Sequence, residues 1–237
     1  MLAPSLLKSS PGNESTVCGR FTLLTPIDCR RFGLDLQFNQ PPRYNIAPRD
    51  QITLVRGSHH QRECVAASWG LVPGWLKDLS RAQINARAET VAEKPMFRHA
   101  FCQRRCLIPA HGYFEWQSLP ERKQPWYIHR RDESLMAFAG IWERYHASDE
   151  VFYDSCAIIT TRANSLTTKV HDRMPVILQP EDYDAWLSAD NDPGNCQTLL
   201  QPLLQPLAPE LLQLWPVSTY VNNPAHKGPR CIEAISG

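Results

Sequence analysis

The sequence predicts an α+β fold: a single domain with a curved, barrel-like, mainly antiparallel sheet and short flanking helices. Three observations carry this reading. Short runs rich in aromatic and β-branched residues recur along the chain, the composition that a pleated, half-buried surface selects. Candidate helices are few and short, and 20 prolines break the chain into small pieces, which argues against a doubly wound sheet. The 237 residues, 43% of them hydrophobic, supply one substantial core rather than two.

In chain order, Gly19 to Leu24 reads as a first strand. Pro26 to Phe32 reads as a short helix with proline at its first turn and Gly33 past its end, the usual asymmetry of helix termini. Ile52 to Val55 and Val65 to Leu71 read as strands. Arg105 to Ile108 and Tyr113 to Trp116 flank a turn at Pro109 to Gly112. Trp126 to His129, Leu135 to Trp142 and Val151 to Thr161 continue the strand series. Short helices fit Asn164 to Lys169, Glu181 to Leu187 and Cys196 to Leu200. The run from Pro202 to Pro216 reads as ordered coil, because Leu203, Leu211, Leu214 and Trp215 need burial.

Charge and composition exclude several functions. Lys+Arg 25 against Asp+Glu 24 leaves +1, so no global positive field draws the chain to nucleic acid or membrane. A polyanion must be held by a local cluster of arginines. No stretch approaches the ~20 apolar residues of a membrane helix. No glycine-rich loop follows a strand and no cysteine–histidine cluster has zinc-ligand spacing, so neither a nucleotide cofactor nor a metal is expected. The eight cysteines contain no Cys-x-x-Cys pair. They read as reduced intracellular thiols, mostly core, which points to the cytoplasm.

Val17-Cys18-Gly19-Arg20-Phe21 is the most telling stretch. A valine codon can serve as a bacterial initiator, and a methionine placed there is trimmed before a small residue. Residues 1–17 are then a disordered or removed leader, or lie before the true start, and the domain spans 18–237. An N-terminal cysteine carries an α-amine with a reference pKa of about 8 beside a thiol of about 8.5. The amine condenses with an aldehyde to an imine, and the thiolate closes a five-membered thiazolidine. An internal cysteine cannot do this, because its nitrogen is an amide. Taken alone, Cys18 fits better as a small buried apolar residue; the motifs further along the chain reverse that.

Other segments carry candidate chemistry. Gly112-Tyr113-Phe114-Glu115-Trp116 sets one carboxylate among three aromatics, where desolvation raises its pKa toward a useful acid–base value. His171-Asp172-Arg173-Met174-Pro175 offers an imidazole next to an acid and a base. Ile84 to Glu89 holds Asn85 and Arg87, and Ser68 to Trp75 is an aromatic loop. Each has an ordinary alternative: Glu115 as a strand carboxylate facing water, His171 as a satisfied histidine, Asn85 as a turn former, Trp75 as core.

Seven motifs occur together and in order: Cys18-Gly19-Arg20-Phe21, Arg43-Tyr44-Asn45-x-Ala47-Pro48, Trp69-Gly70-x-x-Pro73-Gly74-Trp75, Asn85-Ala86-Arg87-x-Glu89-Thr90, Phe114-Glu115-Trp116, His171 to Pro175, and Pro216-Val217-Ser218. In this the chain resembles the SOS-response-associated peptidase (SRAP) family, whose members shield abasic sites in single-stranded DNA. The resemblance implies a covalent crosslink to the abasic aldehyde. Cys18 would be the nucleophile, Asn85 would hydrogen-bond the thiazolidine or its precursor, Glu115 would act near the α-amine, and His171 would help open the deoxyribose. Arg20 and Arg87 would hold flanking phosphates, Thr160 would approach the same site, and Trp75 and Pro48 would wedge against a flanking base. Single-stranded DNA with an abasic site is the implied partner, replication-associated proteins are further candidates, and nothing demands more than a monomer. The family name also implies cysteine peptidase activity, with the chain's own leader as a substrate. Leu76 stands where close bacterial relatives can carry a second tryptophan, so the stacking surface differs.

Three rivals remain open. An N-terminal-nucleophile amidohydrolase also uses a leading cysteine but does not need Glu115 or His171. A cysteine–histidine peptidase and a plain single-strand-binding module are the others.

Overall fold

The computed structural model of the chain describes residues 18–24, 27–34, 37–38, 40–57, 62–148, 150–188 and 193–235. The strands of the first half are β1 (Arg20–Leu23), β2 (Ile27–Asp28), β3 (Gln37–Phe38), β4 (Arg43–Ile46), β5 (Gln51–Arg56), β6 (Glu63–Trp69) and β7 (Asn85–Arg87). Helix α1 (Arg98–Gln103) precedes β8 (Arg105–Ala110), β9 (Gly112–Ser118), β10 (Lys123–Arg130), β11 (Met136–His146) and β12 (Phe152–Arg162). Then follow β13 (Arg173–Pro175), β14 (Ile177–Leu178), α2 (Tyr183–Ser188), α3 (Pro193–Leu200) and β15 (Leu212–Pro216).

Strand β12 pairs with β6, β6 with β5, β5 with β8, β8 with β11, and β11 returns to β12. Five strands therefore close a barrel, and closure removes the exposed edges that an open sheet leaves. Within this ring only β12 and β6 run parallel. β7 lies parallel to β12, with Asn85 opposite Ile158 and Arg87 opposite Thr160.

A second, antiparallel sheet has the order β15-β10-β9-β1-β4. It meets the barrel through aromatic side chains. Phe21 of β1 packs edge-on against Trp69 of β6 at 5.2 Å and against Phe138 of β11 at 6.0 Å. Tyr113 of β9 meets Phe138 at 6.0 Å. All four rings are buried, and each such pair adds about 0.5–1.5 kcal/mol beyond area burial. On β9, a Cβ at Gly112 would lie 2.3 Å from the Tyr127 ring. Only glycine lets that ring close over the strand and its hydroxyl reach Thr22 Oγ1 at 2.9 Å.

The α+β barrel matches the expectation, and most predicted strands are present within a few residues. Several details differ. The segment expected as a helix from Pro26 is β2 followed by a 3-10 turn over Cys29–Phe32; Pro26 itself lies outside the described residues. Gly33 ends that turn in the left-handed region at φ 75°. Strand β6 stops at Trp69, because Gly70 turns the chain at φ 149°. The turn after β8 is shorter than expected, since Pro109 sits within the ladder opposite Ala137. The helix expected from Asn164 reduces to a 3-10 turn at Thr167–Lys169. The proline-rich coil is corrected at its end: Leu212 to Pro216 form β15, which covers the edge of β10.

The expectation of reduced thiols throughout is also corrected. Cys102 of α1 and Cys196 of α3 form a disulfide across 94 residues, a pairing made by tertiary packing and invisible in spacing. The other six cysteines are free. No described helix is long and apolar enough to cross a membrane.

Candidate active site

Antiparallel pairing of β1 with β9 sets Arg20 opposite Phe114. The chain just before β1 therefore arrives beside Glu115. There Cys18 takes a left-handed conformation, φ 43°, which a non-glycine residue adopts only at a cost of about 1–2 kcal/mol. Its backbone nitrogen donates to Glu115 Oε1 at 2.6 Å. Cys18 is 0% exposed and Glu115 1%. Burial pushes the Cys18 thiol well above its ordinary range, and the Glu115 charge adds to this. Burial likewise pushes the Glu115 carboxyl well up, against the hydrogen bond from Cys18 and with the nearby Asp172 charge. The expectation of a desolvated carboxyl among aromatics holds, and the water-facing alternative does not.

Glu115 lies on the wall of an open cleft of about 750 Å³, which Gly19, Arg20, Pro48, Trp116, Lys123 and His171 also line. His171 is held by the turn before β13. Its Nδ1 accepts the Arg173 backbone N–H at 3.1 Å and lies 3.0 Å from Asp172 Oδ1. Burial lowers its pKa, with Asp172 opposing. A neutral ring whose Nδ1 accepts carries its hydrogen on Nε2.

The other predicted residues divide. Arg20 lines the cleft, but its guanidinium donates to Asn45 Oδ1 at 3.1 Å and to the carbonyls of Val221 and Asn222, so it ties β1 to the C-terminal turns. Pro48 is on the cleft wall. Asn85 and Arg87 stand on β7 and are not among the residues lining the cleft. Thr160, opposite Arg87 on β12, is buried. Trp75 is 59% exposed, a position suited to stacking rather than to the core.

Arg173 and Glu89, singled out only as motif members, form a two-pronged ion pair at 2.6 and 2.9 Å. Arg173 also donates to the Thr160 carbonyl at 2.6 Å. The pair clamps the His171 turn to the segment that follows Asn85 and Arg87. Lys123 and Lys169 on the cleft wall were not singled out. Nothing in their local sequence separates a cleft lysine from a surface lysine.

The family model for SOS response associated peptidase (SRAP) matches residues 17–224. The chain belongs to this family. It is 39% identical over 228 residues to abasic site processing protein YoqW of Bacillus subtilis, covering 92% of this chain and 100% of that one. Abasic site processing protein YobE of Bacillus subtilis is 38% identical over 218 residues, covering 88% and 97%. A crystal structure of a protein from Bacteroides thetaiotaomicron superposes with a TM-score of 0.80 at 27% identity, covering 92% of this chain and 100% of that one. In this SRAP chain the match begins one residue before Cys18 and spans the cleft, the β7 segment and the Arg173–Glu89 clamp.

Proposed function

We propose that this SRAP chain senses abasic sites in single-stranded DNA and attaches to them covalently, with Cys18 as its first residue. The observation that carries the reading is the 2.6 Å contact between the Cys18 nitrogen and a buried Glu115 carboxyl at the wall of an open cleft. The names of its relatives as abasic site processing proteins support the substrate class. The amine of Cys18 adds to the C1′ aldehyde of the ring-opened deoxyribose, and one water leaves as the imine forms. The sulfur then adds to the imine carbon, its proton ends on nitrogen, and the thiazolidine is closed. Glu115 receives and returns protons at the nitrogen, and the His171 Nε2–H donates to the sugar oxygens. Asn85 orients the ring. Arg20 and Arg87 meet flanking phosphates, Pro48 and Trp75 meet a flanking base, and Thr160 approaches the same site. A missing base lowers the cost of bending the strand into the cleft, which favours single strands over duplex.

One observation favours a second activity on the same site. In a chain that still carries residues 1–17, the nitrogen at 2.6 Å from Glu115 belongs to the Val17–Cys18 amide. In that step water adds to the Val17 carbonyl, the C–N bond breaks, and Glu115, its pKa raised by burial, gives a proton to the leaving nitrogen and takes one from the water. Leader removal by this chain itself is therefore part of the proposal.

The test is intact mass before and after mixing with an oligonucleotide bearing one abasic site. A chain starting at Cys18 that gains the oligonucleotide mass less one water supports the reading. Heat-stable adducts formed equally by Cys18→Ala would overturn it.

A further inference from the structure

Tyr113 stands two residues before Glu115 on β9, so strand alternation puts both side chains on one face. Its ring is wedged between the two sheets, paired across the ladder with Phe21 and edge-on to Phe138 at 6.0 Å. The residue is fully buried. Its hydroxyl has no hydrogen-bond partner among the described residues. The contrast is Tyr127 on the adjacent strand, also buried, whose hydroxyl reaches Thr22 at 2.9 Å.

An orphaned buried hydroxyl costs about 1–3 kcal/mol, and phenylalanine would fill the same space without it. Packing alone therefore does not account for the oxygen. The groups that bear on it electrostatically are Cys18 and Glu115, and with burial they hold the phenol well above its usual range. It is thus a donor across the working pH range. The reacting sulfur, equally buried, has to carry negative charge before it can attack, and a buried anion needs a donor.

We propose that the Tyr113 hydroxyl donates a hydrogen bond to the Cys18 sulfur as it becomes a thiolate and so sets the rate of thiazolidine closure. This rests on the role of Cys18 proposed above. In the step, the thiol proton passes to the Glu115 carboxylate, a sulfur lone pair forms the S–C1′ bond, and the C=N pair of the protonated imine moves to nitrogen. Tyr113 keeps its proton, and nothing is oxidised or reduced.

The test is Tyr113→Phe in a chain whose mass shows Cys18 at its start. Its melting temperature should equal or exceed that of the wild type. Single-turnover crosslinking near neutral pH should slow about tenfold, with the pH–rate profile displaced about one unit to higher pH. A rate equal to wild type at every pH overturns the proposal. A second measurement needs no DNA: iodoacetamide alkylation of Cys18, followed on its peptide by mass, against pH. An alkaline displacement in Tyr113→Phe supports the contact, and coincident profiles overturn it. A wild-type chain that alkylates normally yet never forms an adduct overturns the proposed function, while the alkylation profile still decides the contact between Tyr113 and Cys18.

Discussion

The backbone nitrogen of Cys18 donates to Glu115 Oε1 at 2.6 Å across 97 residues of chain. This contact joins the start of the matched domain to the middle of β9, and it buries both residues. As an amide, the nitrogen leaves Glu115 favoured in its neutral form. As an ammonium in the same place, it would favour the carboxylate, since an opposite charge at this distance outweighs part of the desolvation. One carboxyl can therefore serve as acid before leader removal and as base after it.

Glu115→Gln keeps the shape and an acceptor for the Cys18 nitrogen but removes the proton exchange. Crosslinking should slow by about 10²-fold or more, with the melting temperature little changed. Gel-resolved adduct formation against time checks this, and an unchanged rate would remove Glu115 from the chemistry.

Retention of residues 1–17 should block the adduct, because the Cys18 nitrogen is then an amide. Cleavage that exposes Cys18 should restore it. Glu115→Gln expressed with the leader should also accumulate uncut chain, which intact mass reads directly.

Arg87 is exposed on β7. Arg87→Ala should weaken binding to abasic and intact single strands alike and reduce the slope of log K against log salt by about 0.7. Fluorescence anisotropy over a salt series measures it. A loss confined to abasic DNA would show that Arg87 acts at the sugar instead.

Arg173→Lys keeps the charge and loses the fork that holds Glu89 and the Thr160 carbonyl. A loss of about 1–3 kcal/mol is expected, read by denaturant unfolding. Reactivity toward DNA should fall with it, because the clamp carries both the His171 turn and the β7 segment.

Stability should depend on pH through His111. Burial, with Arg31 adding, lowers its pKa to about 4, and its Nδ1 accepts the Leu24 N–H at 3.1 Å. The unfolded chain takes up this proton below about 6.5, so the stabilisation is complete above that pH and is lost as pH falls toward 4. The full effect is about 3 kcal/mol. The stability difference, wild type minus His111→Gln, should fall by about this amount as pH drops from about 6.5 to about 4, because the mutant lacks this titration. Glu115 slopes the other way, so the difference curve rather than either profile is the readout.

Much of this protein was legible in order along the chain. The strand runs, the glycine after Phe32 and the aromatic setting of Glu115 all follow from local composition, because backbone propensity and the desolvation of a carboxyl depend on immediate neighbours; Cys18 stands out only through the motifs that accompany it. What the line of residues does not carry is pairing at a distance. Nothing local distinguishes Leu212 to Pro216 as a strand until the edge of β10 is there to bond it. The Cys102–Cys196 bond, the Arg173–Glu89 clamp and the use of Arg20 as a tie to the C-terminal turns are likewise products of packing. So is the orphaned Tyr113 hydroxyl: a tyrosine on a strand reads as core, and only burial without a partner marks its oxygen. Hydrogen bonds and ion pairs form between groups that the fold brings within about 3 Å, and sequence separation says little about which groups those are.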